Sequence, residues 1–147
     1  MTQPLGADLL AVVARINRLA TQRARLPLPF AQARLLSTIE DQGAARISDL
    51  AALDHCSQPT MTTQVRRLED AGLVSRTVDP NDARAVLIRI TPKGVATLRQ
   101  VRVNRGAVID PFLERLDAAD RKALSDAVRV LRRVLEDATA DPAAWAR

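Results

Sequence analysis

The stretch Ser57-Gln58-Pro59-Thr60-Met61-Thr62-Thr63-Gln64-Val65-Arg66-Arg67-Leu68-Glu69-Asp70-Ala71-Gly72 decides the fold. Proline falls in its first turn, where no backbone donor is needed, and glycine falls just past its end, where a left-handed residue stops a helix. At about 100° per residue, Met61, Val65 and Leu68 fall on one narrow stripe, the expected core face. Opposite them lie Pro59, Thr63, Arg66 and Asp70, flanked by Thr60, Thr62, Gln64 and Arg67. Short hydroxyl and amide side chains let the start of such a helix approach base edges in a DNA major groove, while arginine one turn later reaches guanine or phosphate. Free amides near Ser57 to Thr60 favour a phosphate as well. The same side chains would also solvate an ordinary exposed helix, so the flanking elements decide.

Upstream, Ile47 leads into Ser48-Asp49-Leu50-Ala51-Ala52-Leu53, which reads as an N-cap serine, an acidic first turn and a short helix with Leu50 and Leu53 inward. The break Asp54-His55-Cys56-Ser57 admits only a tight turn, so the two helices form a helix-turn-helix. Downstream the period changes to two: Val74, Arg76 and Val78 alternate with Ser75 and Thr77, and Val86, Ile88 and Ile90 alternate with Leu87 and Arg89. This is a β-hairpin, and Asp79-Pro80-Asn81-Asp82-Ala83-Arg84 between its strands reads as a projecting polar loop. Arg84 at the tip suits the negative potential of a narrow minor groove, with Asp82 placed to orient its guanidinium. The competing reading is an exposed ion pair contributing about 0–1 kcal/mol.

Further out, Val12, Ile16 and Leu19 recur at helical spacing before the Leu26-Pro27-Leu28-Pro29 break, and a second helix runs from about Phe30 through Leu35, Leu36 and Ile39 to Gly43. Thr91-Pro92 opens a helix carrying Val95, Leu98, Val101, Val108, Ile109 and Phe112, which Pro111 should kink or end. A last helix, capped by Asp117 with Asp120 in its first turn, is expected to bury Leu124, Val128, Leu131 and Leu135, and Asp141 to Arg147 forms a frayed tail.

Bulk properties set the limits. A chain of 147 residues, 47% apolar, can build one domain, and the absence of a long apolar run or a signal-like N-terminus leads to a cytoplasmic expectation with no membrane partner. One cysteine and one histidine leave no zinc set, no cofactor motif and almost no acid-base or nucleophilic machinery, so an enzyme is not expected. Aromatic residues are few (Phe30, Phe112, Trp145), which disfavours a stacking platform for single strands and leaves duplex DNA as the polymer to expect. The net charge of +5 suits a polyanion, yet residues 46–90 carry six basic and six acidic side chains, so contact must come from a few placed arginines. That neutrality keeps open an alternative, a winged-helix adaptor that binds proteins only.

The helix order, together with Ser57 to Thr62, Arg67 to Val74, Asp79 to Arg84, and Leu87 leading to Thr91-Pro92-Lys93-Gly94, resembles the MarR (multiple antibiotic resistance regulator) family over nearly the whole chain. The resemblance implies a mainly α fold with a small β-hairpin wing: a winged helix-turn-helix reading head (30–91), N- and C-terminal helices (5–26 and 92–137) forming a dimer platform, and a tail (138–147). It implies a recognition helix from about Gln58 to Ala71, with Ser57, Gln58, Pro59, Thr60, Thr62, Thr63, Gln64, Arg66 and Arg67 as DNA contacts, and an Asp-x-Arg wing motif at Asp82 and Arg84. Ala83 stands where many relatives carry another arginine, which leaves this wing with less charge. A transcriptional repressor follows, acting as a homodimer on double-stranded DNA and released by a small aromatic or anionic effector. The long apolar stripe of the last helix agrees with a dimer, because so small a chain struggles to bury it alone. Phe30, Phe112 and Arg34 are candidates for an effector cleft, against core packing as the expectation for both phenylalanines. Some relatives sense peroxide through a cysteine in the first helix; Cys56 does not match that position and reads as an inert side chain, with His55 as its only candidate activator.

Overall fold

The computed structural model describes residues 4–141, so Trp145 and most of the expected tail lie outside the described residues. Along the chain run α1 (Leu5–Arg23), α2 (Phe30–Gln42), β1 (Ala45–Arg46), α3 (Ile47–Leu53), α4 (Gln58–Asp70), β2 (Val74–Asp79), β3 (Asp82–Ile90), α5 (Pro92–Leu113) and α6 (Ala118–Ala140). The strands form an antiparallel sheet in the order β1-β3-β2. The architecture is the expected one, helical with a small winged sheet. The chain divides into two units, one ending at Val108 and one beginning at Ile109.

In the first unit, Leu35, Leu36 and Ile39 of α2, Leu50 and Ala51 of α3, and Met61, Val65 and Leu68 of α4 close on Leu73, Val74, Ile88 and Leu98 to form the core. The stripe Met61-Val65-Leu68 is fully buried, so the face of α4 expected to turn inward does so. Gly43 and Gly72 both take positive φ, at 70° and 74°, ending α2 and α4 as their positions required. The start of α5 clasps the α4–β2 junction: Thr91 Oγ1 donates to the Gly72 carbonyl at 2.6 Å and accepts the Gly94 amide at 3.1 Å, and Lys93 Nζ donates to the Ala71 carbonyl at 2.8 Å.

Several expectations need correction. Ser48 does not cap α3; the residue before the helix is Arg46, in extended conformation and without a side-chain cap. The reason is β1, whose two residues pair with Leu87 and Ile88 of β3 and run straight into the helix. Leu53 is 52% exposed, and Ala51 takes the inward place beside Leu50. The loop expected from Asp79 to Arg84 is mostly strand, turning only at Pro80-Asn81, and Asp79 is buried at 6% exposure rather than solvated. Pro111 does not stop α5, which continues to Leu113; the proline sits in the final turn, so the break comes two residues later.

Phe30 and Phe112 are both exposed, against the expected core packing. In α6, Asp117 accepts the Asp120 amide at 2.8 Å, the expected cap. Leu124, Val128 and Leu135 are not buried, however, and Leu135 is 66% exposed. Val12, Ile16 and Leu19 of α1 are likewise exposed. Both helices therefore carry apolar faces that the single chain leaves in water.

Two stability predictions follow from the core. Leu68→Ala should lower unfolding stability by roughly 2–5 kcal/mol, because a fully buried side chain leaves a cavity. A Cβ at Gly94 would lie 2.7 Å from Ile90 Cγ1 and overlap the Leu73 carbonyl oxygen. Gly94→Ala should thus cost about 1–3 kcal/mol or more in chemical denaturation, and unchanged stability would refute the close approach.

Candidate nucleic-acid interface

Helix α4 begins at a built cap. Ser57 Oγ accepts the Thr60 amide at 3.3 Å and donates to Thr60 Oγ1 at 2.8 Å, which orders the first turn. Thr62 and Thr63 donate their hydroxyl protons to the Gln58 and Pro59 carbonyls, at 2.9 Å and 3.1 Å. With the proton so engaged, each hydroxyl presents lone pairs outward and suits an amino donor such as cytosine N4 or adenine N6. Gln58, Pro59, Thr60, Thr63, Arg66 and Arg67 are exposed, and Thr62 and Gln64 half-buried, so every residue expected on the reading face is accessible.

The arginines separate into two kinds. Arg76 is held by Glu69 at 2.7 Å, joining β2 to the end of α4, and Arg34 is held by Asp54 at 2.8 Å. Arg66, Arg67 and Arg84 have no ion-pair partner among the described residues. The three guanidinium groups assigned to a polyanion are thus free of internal partners, although residues 46–90 balance in formal charge.

Arg84 is exposed as the third residue of β3, just past the tip. Asp82 does not orient its guanidinium as expected. The Asp82 carboxylate instead accepts the Arg84 backbone amide at 3.0 Å, shaping the chain and leaving the guanidinium unclaimed.

A second element was missed from the sequence. Arg46 donates from Nε at 3.0 Å and from Nη2 at 2.6 Å to Oδ2 of Asp79, whose Oδ1 accepts the Asn81 amide at 2.9 Å. The Asn81 amide, and then the Arg46 guanidinium, hold the Asp79 carboxyl below the usual carboxylate range; the same pairing raises Arg46. No sequence signal reveals this pair, because two residues of strand are too few to show a period.

Away from the reading face, Phe30, Ala33, Arg34, Ser37, Arg102 and Arg105 line a cavity of about 160 Å³. The Arg105 guanidinium lies 5.5 Å above the Phe30 ring and bonds Asn17, and Arg102 is paired with Glu40 at 2.5 Å. Phe30 and Arg34, two of the three cleft candidates, therefore share one wall, while Phe112 belongs to the unit that begins at Ile109. Cys56 is half-buried and free. Among the described residues, no cluster of His, Cys, Asp or Glu is placed to hold a metal ion, and no helix is long and apolar enough to cross a membrane.

Comparison with known proteins matches this geometry. The MarR family model matches residues 28–86, from the residues before α2 into the wing. An uncharacterized HTH-type transcriptional regulator of Mycobacterium bovis is 27% identical, over 90% of this chain and 94% of its own. The multiple antibiotic resistance protein MarR of Salmonella typhimurium is 27% identical over 82% of this chain and 84% of its own.

Among solved structures, the transcriptional regulator Tm0710 of Thermotoga maritima superposes with a TM-score of 0.72 at 26% identity, covering 95% of this chain and 99% of its own. A MarR variant from E. coli complexed with operator DNA superposes with a TM-score of 0.58 at 25% identity, covering 87% of this chain and 93% of its own. Fold, motif order and relatives converge: residues 28–86 match the MarR family model, and the chain has the winged helix-turn-helix fold of the transcriptional regulators it superposes on.

Proposed function

We propose that this chain is a homodimeric repressor that binds an inverted-repeat operator in double-stranded DNA, and that a small aromatic anion releases it. The observation that carries the reading is the outward face of α4, where a Ser57-capped first turn, acceptor hydroxyls at Thr62 and Thr63, and unpaired Arg66 and Arg67 stand opposite a fully buried apolar stripe. Thr60, Thr62, Thr63 and Gln64 read base edges, Arg66 and Arg67 take guanine or phosphate, and Ser57, Gln58 and Pro59 bring the helix start against the backbone. Arg84 enters the minor groove beside it, with Asp82 shaping the strand that carries it. The operator complex of the similar MarR variant from E. coli supports duplex DNA as the partner.

The exposed apolar residues of α1 and α6 support a second copy as the other partner, since faces of this kind are covered in stable proteins. Two-fold symmetry then sets the half-sites about one turn of DNA apart. The effector site is the cavity lined by Phe30, Arg34 and Arg105, which offers a ring face and cationic groups to an aromatic anion. Such a ligand releases DNA only if it binds tighter to a conformation in which the reading heads do not fit the duplex.

Arg84→Ala should weaken binding to a duplex selected with the wild-type protein by about 1–3 kcal/mol and flatten its salt dependence, with dimerisation unchanged in sedimentation. Wild-type affinity in the variant would remove the wing from the interface. Thr63→Ala should change which bases are preferred at one position of each half-site in a randomised library; an unaltered preference profile would remove Thr63 from base reading.

A further inference from the structure

The wing has little apolar attachment to the body. In β2 only Val74 and Asp79 are buried, and Val78 next to the turn is 65% exposed. A two-stranded ribbon of this kind is not rigid by its backbone bonds alone. Asp79 is the exception at its outer end, and both its carboxylate oxygens are used: Oδ1 forms the Pro80-Asn81 turn through the Asn81 amide, and Oδ2 takes two donors from Arg46.

Arg46 stands on β1, on the far side of β3 from β2. Its side chain therefore crosses the central strand and ties the two outer strands together at the wing end. Arg46 is also the residue from which α3 starts, so the tie connects the wing to the first helix of the helix-turn-helix. The register between β2 and β3 shifts at Val78/Asp79: Asp79 pairs with Asp82 after Val78 has paired with Val86, so Arg84 lies in the irregular stretch of β3 between those two pairs.

We propose that Arg46 and Asp79 are a positioning pair: they fix the wing on the β1–α3 step so that Arg84 and the outward face of α4 meet one duplex together. The proposal rests on the DNA-binding reading above. Neither residue touches DNA in this account. Their effect passes through Arg84, whose guanidinium is useful only if the strand beneath it is held still.

The test is a double-mutant cycle with a DNA-free control. Asp79→Asn and Arg46→Met are each combined with Arg84→Ala, and affinity is measured on a duplex recovered by selecting wild-type-bound fragments from a random library. Each single change at the pair should weaken binding roughly three- to thirtyfold, and should weaken it no further once Arg84 is already alanine. The exchanged pair, Arg46→Asp with Asp79→Arg, should recover part of the loss.

Backbone ¹⁵N order parameters, measured without DNA, should fall at Asn81 to Arg84 in Asp79→Asn while those of α4 stay as in the wild type, which also shows that the variant folds. Losses that multiply with that of Arg84→Ala, or wild-type order at Asn81 to Arg84 in Asp79→Asn, overturn the proposal. Failure of the wild-type protein to bind any duplex at low salt overturns the DNA reading itself, and is told apart because it shows before any residue is changed.

Discussion

The burial of Met61, Val65 and Leu68 is the constraint on which the rest depends. These three side chains are completely removed from solvent, against α2, α3 and the sheet. Rotating α4 about its axis would expose them, at roughly 1.5–3 kcal/mol each, so the helix has one allowed orientation. That orientation decides which residues face outward. Thr60, Thr63, Arg66 and Arg67 are presented because the opposite side is locked, and their chemistry matters only for that reason.

The fastenings around this helix serve the same end. Ser57 orders its first turn, Gly72 lets the chain turn at its end, and Thr91 and Lys93 bind the carbonyls of that turn from the start of α5. Gly94 has no side chain because the Leu73 carbonyl occupies the place of a Cβ. The Thr-Pro-Lys-Gly segment, which resembles the family pattern, thus has a mechanical role here: it clamps the junction between α4 and the wing.

Much of this was legible in the residues. The period of α4, its proline and glycine punctuation, the change to period two in the hairpin, and the Asp117 cap are local signals, and each local preference agrees with the tertiary structure. What was hidden is non-local. Strand β1 is only two residues long, and because it is extended the cap position of α3 falls at Arg46 instead of Ser48. The polar composition from Asp79 to Arg84 spoke for a loop, but a carboxylate can be buried when a guanidinium and an amide satisfy it. For α1 and α6, periodicity identified the apolar faces without showing what covers them, so residues expected to be buried are exposed in the single chain. Phe30 is a cleft candidate for which core packing is the favoured expectation, and Arg105 stacks on it in a cavity wall.

In the proposed function one oriented helix, with one wing beside it, is presented twice to a single duplex. Hydroxyl-radical footprinting of the wild-type protein on a duplex it selects measures that arrangement directly. Two patches of protection related by a two-fold axis, about one helical turn apart, each with a shorter minor-groove patch beside it, are the predicted result. A single unsymmetrical patch, or no protection at low ionic strength, would contradict it.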